Sequence, residues 1–127
     1  MAEHKPSVRM TNDGLIVFLG TKDLEATHRF YHGVLGLALD RDQGVCRIYG
    51  VPGGGGLGFR EHLEVSASAN SPVITLLADD VEAVHARLLA HGVSPEAPPK
   101  VNTRFAIYHF FVRDPNGYAV EVQRFRS

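Results

Sequence analysis

Asp80-Val81-Glu82-Ala83-Val84-His85 matches Asp23-Leu24-Glu25-Ala26-Thr27-His28 in residue type, position by position. A short segment copied at a fixed offset is the mark of an internal repeat. The first copy follows plausible capping residues, and in both copies apolar residues then recur at helical spacing. In the first copy these are Leu24, Thr27, Phe30, Tyr31, Val34 and Leu35; in the second they are Val81, Val84, Leu88 and Leu89. Asp79 and Glu82 stand at capping-box spacing, Gly33 and Gly36 mark the end of the first helix, and Gly92 ends the second.

Outward from the two helices the flanks repeat as well. Leu15-Ile16-Val17-Phe18-Leu19 precedes the first helix and Val73-Ile74-Thr75-Leu76-Leu77-Ala78 the second, both short and rich in branched residues, as buried strands are. After the first helix the sequence predicts strands over 38–42, 45–51 and 57–64, with turns at Gln43-Gly44 and at Pro52-Gly53-Gly54-Gly55-Gly56. After the second it predicts three more between 99 and 124. The clearest are 105–112 and 118–125, joined as an antiparallel hairpin by Asp114-Pro115-Asn116-Gly117. The expected fold class is α+β: two βαβββ modules, each a curved mixed sheet with one helix, forming a half-barrel pocket. Module 1 spans 13–66 and module 2 spans 72–126 of a single domain, after a leader over 1–12 expected to be loosely ordered. One helix covers one face of a four-stranded sheet, so the other face is left to make the pocket.

The bulk numbers agree with one packed domain. The chain has 127 residues, 44% hydrophobic and 21% charged, which suits a single core. Thirteen Lys and Arg against fourteen Asp and Glu give a net charge of -1 with no block of like charge, so neither nucleic acid nor a membrane surface is an expected partner. The single cysteine, Cys46, and the polar start Met1-Ala2-Glu3-His4-Lys5-Pro6 point to a cytoplasmic protein.

Two passages carry a family resemblance that covers residues 14–125. Asp23-Leu24, Phe30-Tyr31 and Val34-Leu35-Gly36-Leu37 match one pattern, and Asp114-Pro115-Asn116-Gly117-Tyr118 leading to Glu121 matches another. With the repeat, they resemble the vicinal-oxygen-chelate superfamily of glyoxalases, bleomycin-resistance proteins and extradiol dioxygenases. The resemblance implies two half-barrels around one small-molecule pocket. In metal-dependent members a divalent ion sits on up to four inward side chains, from the first and last strands of each half. The first-strand positions correspond here to Ile16 and Val73, which have no donor atom. The last-strand positions correspond to Glu121 and to Arg60 or His62. One or two donors stand where three or four are wanted, so no cofactor is expected; the alternative is a divalent metal ion on His62 and Glu121.

Period-2 alternation sorts the remaining candidates. In Tyr118-Ala119-Val120-Glu121-Val122-Gln123 it puts Glu121 with Ala119 and Gln123, opposite the two valines; if the valines pack under a helix, Glu121 faces the cavity. His109 and Phe111 share a face with Ile107, and the hairpin brings His109 near the level of Glu121 as a candidate acid/base pair. Such pairs move protons near neutral pH. By the resemblance, related dioxygenases carry Tyr at the position of Phe111. Arg60 and His62 lie together on their strand, Arg60 offering a fork of donors to an anionic group. Phe59 offers apolar surface; Arg47 and Tyr49 share a face and would add a donor and an aromatic wall; Asn102, Arg104 and Tyr108 are lesser candidates. His28 and His85 are expected to pack on the helices, and Gly53 to Gly56 to form a flexible hairpin.

The leading expectation is a protein that binds a small molecule in the pocket between its modules, without the usual divalent metal site, and works as a homodimer. Its rival is a lyase, isomerase or dioxygenase of the same fold, using Glu121 and His109 as acid and base or an odd metal site from His62, His109 and Glu121. A third class is a regulatory subunit with a vestigial pocket.

Overall fold

The structure, a computed structural model, describes residues 14–68 and 71–126. The leader over 1–12 lies outside the described residues. Two helical segments and eight strands follow in the order β1 (Ile16–Gly20), α1 (Leu24–His28) running on as a π-helix (Arg29–Val34), β2 (Ala38–Asp42), β3 (Cys46–Gly50), β4 (Gly56–Arg60), β5 (Ile74–Leu77), α2 (Val81–Ala90), β6 (Lys100–Asn102), β7 (Ile107–Arg113) and β8 (Ala119–Phe125). The first sheet has the order β1-β4-β3-β2 and the second β5-β8-β7-β6. In each, the strand before the helix pairs in parallel with the last strand of its module, and the other pairs are antiparallel. This is the βαβββ unit twice, as the repeat predicts. Among the described residues no helix is long and apolar enough to cross a membrane.

The repeated aspartates do the same work in both copies. Asp23 accepts from the amide of Ala26 at 3.0 Å and Asp80 from the amide of Ala83 at 3.0 Å, so each satisfies a free donor in the first helical turn. The cap of α2 is therefore Asp80 and not Asp79, whose spacing to Glu82 suggested a capping box. The first helix departs from expectation more. After His28 it widens, and the amide of Leu35 bonds the carbonyl of Phe30, five residues back. Gly36, at φ +78°, then turns the chain into β2, a conformation glycine adopts without steric cost.

Both helices lie on one side of their sheets, and the two covered sides share one core. Tyr31, Tyr49, Leu57 and Phe59 from the first module form a single cluster with Leu88, Phe110, Val120 and Val122 from the second. Because strand residues alternate in direction, the opposite faces of the two sheets point away from this core on opposite sides of the molecule. On the first open face the Phe18 ring lies against Gly58, where a Cβ would stand 2.5 Å from it, and the Arg60 guanidinium sits 3.6 Å above that ring.

A polar pin joins the modules. The Tyr31 hydroxyl donates to Asp114 at 2.7 Å, and burial, with the Asp114 carboxylate beside it, pushes that phenol up, so it remains a donor. The Tyr118 hydroxyl donates to the Gly20 carbonyl at 2.9 Å, and Asn116 bonds both Thr21 and Thr27. The two passages that carry the family resemblance thus touch each other.

His28 supplies a pH prediction. Burial, then the neighbouring His32 and Arg47, hold it below the usual imidazole value of 6.5. The folded state binds this proton less readily than the unfolded chain, so its contribution is present above the unfolded value and lost as pH falls through the folded one. Urea unfolding at pH 7.5 and 5.5 should show a smaller loss of stability on acidification in His28→Gln than in the wild type; an equal loss contradicts this origin.

Candidate functional site

The open face of the second sheet is built by alternation along β7 and β8. Phe110, Val112, Val120 and Val122 enter the core, so His109, Phe111, Glu121 and Gln123 turn outward. The register pairs Phe111 with Glu121 and His109 with Gln123, which puts His109 diagonally across from Glu121. There the His109 Nδ1 lies 2.6 Å from Glu121 Oε2. Thr75, on the adjoining β5 opposite Glu121, donates its hydroxyl to Oε1 at 3.1 Å. The Gln123 amide, oriented by this network with its nitrogen toward the carboxylate, donates to both oxygens at 3.2 Å.

Three side chains thus hold one carboxylate. In the neutral ring, a carboxylate oxygen at Nδ1 puts the proton of His109 on that nitrogen and leaves Nε2 with the lone pair. Nε2 is buried and has no hydrogen-bond partner, although His109 is only 5% exposed. An unpaired buried acceptor costs roughly 1–3 kcal/mol, and native structures seldom tolerate one without a use.

His109 and Glu121 line a cavity of about 520 Å³ whose other polar groups are Thr75, Asn102 and Gln123. Its apolar walls are Ile107 and the rings of Phe105, Phe111 and Phe125, with Phe111 and the His109 ring meeting in a T-shaped contact at 5.5 Å between centroids. The loop that carries Phe105 is held in a strained form: Ala106 has φ +52°, its carbonyl accepts from Arg126 at 2.8 Å, and the Phe105 amide donates to Asn102 at 3.2 Å. Ala106→Val should cost about 1–2 kcal/mol in urea unfolding, while Ala106→Gly should stay within about 0.5 kcal/mol of the wild type. Equal effects of the two would contradict the strain.

The other candidates fall elsewhere. Phe59 and Tyr49 are fully buried on the helix-covered face of the first sheet, where Tyr31 packs against Phe59 and the Tyr49 hydroxyl bonds His28 at 2.9 Å. Arg47 lies on that same face and pairs with Glu25 at 2.6 Å, so these three do not line the cavity. The face that Arg47 and Tyr49 share is the one under the helix. Arg60 is on the first module's open face with Phe18, and His62 follows β4 in an exposed turn; neither is brought to His109 and Glu121 within the chain. Tyr108 bonds Glu82 of α2 at 2.7 Å. Arg104 is exposed over Phe105. Thr75 is the participant that sequence reasoning missed; it is the one polar residue in an apolar strand, and its alternation with Ile74 and Leu76 marks it as outward. Among the described residues no three His, Cys, Asp or Glu side chains converge as a metal cage.

A second cavity, about 530 Å³, runs between the modules along Leu15, Val17, Val51, Ile74 and Leu76. Thr75 is the one polar side chain in its lining, so it offers no acid, base or charge.

The model of the Glyoxalase/Bleomycin resistance protein/Dioxygenase superfamily matches residues 15–122. The chain belongs to that superfamily. Among functionally curated proteins none matches the sequence. Solved structures share its fold. An integron cassette protein from the mobile metagenome of the Halifax Harbour sewage outfall is 24% identical with a TM-score of 0.71, over 87% of this chain and 97% of that one. A glyoxalase/bleomycin resistance protein/dioxygenase from Nocardioides is 22% identical with a TM-score of 0.69, over 94% and 86%. TioX from Micromonospora sp. ML1 is 20% identical with a TM-score of 0.71, over 87% and 96%. In this superfamily member Tyr31 and Asp114, one from each of the two passages that carry the resemblance, bond each other, and the candidate chemistry lies at His109 and Glu121.

Proposed function

We propose that this superfamily member binds a small aromatic molecule on the open face of its second sheet, with His109 Nε2 as the acceptor that fixes the ligand. The observation that carries this reading is the buried, unpartnered Nε2 beside a cavity walled by phenyl rings. A ligand O–H or N–H donated to it would satisfy the orphaned acceptor, and stacking on Phe105, Phe111 and Phe125 would supply apolar contact.

The residues do not fit the divalent ion of the metal-dependent relatives. Ile16 and Val73 offer no donor, and Glu121 is already engaged by Thr75, His109 and Gln123. The 2.6 Å His109–Glu121 contact favours a second reading, acid/base catalysis. In it Nε2 takes a proton from the bound ligand while Glu121 holds Nδ1 in place, as a lyase or isomerase would require.

A homodimer completes the site in this account. The open faces of the two modules look away from each other within one chain, so a pocket walled by both needs the first module of a second copy over the second module of the first. The edges of β1 and β5 support such a contact: Ile16, Val17, Val73 and Leu77 are exposed there without strand partners on one side. Arg60 and Phe18 would then face His109 across the interface.

A thermal-shift screen of small phenols and nitrogen heterocycles tests the reading. At least one compound should raise the Tm of the wild type, and the rise should vanish in His109→Phe. A hit that stabilises both equally contradicts it.

A further inference from the structure

On the helix-covered side of the first module, away from the His109 cavity, two histidines stand one helical turn apart. The rings of His28 and His32 stack at 4.7 Å with 16° between their planes. The widening of the helix after His28 explains the alignment. A π turn takes more residues than an α turn, so positions four apart come closer to eclipse than in a regular α-helix.

Each ring is anchored by its Nδ1. His32 Nδ1 lies 2.8 Å from the Leu37 carbonyl, which can only accept, so Nδ1 is the protonated nitrogen of His32. His28 Nδ1 lies 2.9 Å from the Tyr49 hydroxyl, whose oxygen can accept in the same way. Both Nε2 atoms are left without a hydrogen-bond partner among the described residues. One ring nitrogen tied to a carbonyl or other oxygen, with the other free, is how proteins prepare an imidazole for a metal.

We propose that His28 and His32 form a two-imidazole site for a divalent transition ion such as Zn²⁺, through their Nε2 atoms, with water filling the remaining positions. Two metal–nitrogen bonds of about 2.0–2.1 Å can join rings at this spacing after a small rotation of the exposed His32. Tyr49 acts behind His28 as a positioning residue, holding the Nδ1 proton so that Nε2 faces out. The ion would clamp the α to π junction, because its two ligands lie on either side of it.

Zn²⁺ alone, titrated calorimetrically into the full chain carrying His4→Gln, tests this without competition from the imidazole near the amino terminus. One ion per chain should bind, and affinity should fall at least tenfold in His28→Gln and in His32→Gln but not in His109→Gln. Tyr49→Phe should weaken it less than either. His32 is exposed and makes one bond to the backbone, so its variant keeps the fold, which circular dichroism checks. Binding that survives His32→Gln in a folded chain, or no binding by the His4→Gln chain, overturns the assignment.

Discussion

Asp114→Ala is expected to lower the unfolding free energy by about 4 kcal/mol, the sum of two or more buried donors each losing its acceptor at roughly 1–3 kcal/mol. Asp114 is 5% exposed and accepts from the Tyr31 hydroxyl at 2.7 Å, the Tyr118 amide at 2.8 Å and the Asn116 amide at 2.9 Å. Alanine leaves Tyr31 and Tyr118 unpaired in the core that joins the modules. A domain has about 5–15 kcal/mol in total, so the change consumes a large part of it. Asp114→Asn keeps an acceptor for the two amides and should cost about half as much. Urea unfolding followed by circular dichroism gives both values, and a loss below 1 kcal/mol for the alanine variant would mean that the pin does not hold the modules together.

Glu121→Gln should have the largest effect on the site and a small one on the fold. The amide has the shape of the carboxylate but can turn its nitrogen toward His109. Nδ1 then becomes the acceptor and the proton moves to Nε2, which changes from acceptor to donor. A ligand that donates to Nε2 then meets another donor, and its affinity should fall by about a hundredfold, the size of a charge-assisted hydrogen bond of 1.5–3 kcal/mol. Calorimetric titration of a compound from the thermal screen measures the loss, and nitrogen chemical shifts of His109 report the tautomer. A tautomer that stays unchanged, with affinity unchanged, would contradict the role given to Glu121.

How far the sequence predicted these features differs between the modules. In β8 the alternation is chemically lopsided, with Val120 and Val122 against Glu121 and Gln123, so the outward face is plain and the hairpin turn then places His109. In β3 both faces carry apolar groups, Cys46 and Ile48 on one and Tyr49 on the other. Alternation tells which residues share a face but not which face meets the helix. Tyr49, Phe59 and Arg47 were therefore expected in the pocket, and they lie beneath α1 and the π-helix instead. The π winding itself is invisible in residue spacing, since Leu24, Thr27, Phe30, Tyr31 and Val34 suit an α-helix equally well. The packing of one module on the other is equally hidden. It depends on Tyr31 meeting Asp114, two residues far apart in the chain, and it sends Arg60 and His109 to opposite sides of the molecule.

The most direct test of the account is a crystal structure of the chain with a compound that raises its Tm. The account predicts the compound on the open face of the second sheet, among Phe105, Phe111 and Phe125, with a donor within about 3 Å of His109 Nε2. A compound seated instead in the aliphatic cleft along Leu15, Val17 and Leu76, with Nε2 still unpartnered, would contradict it.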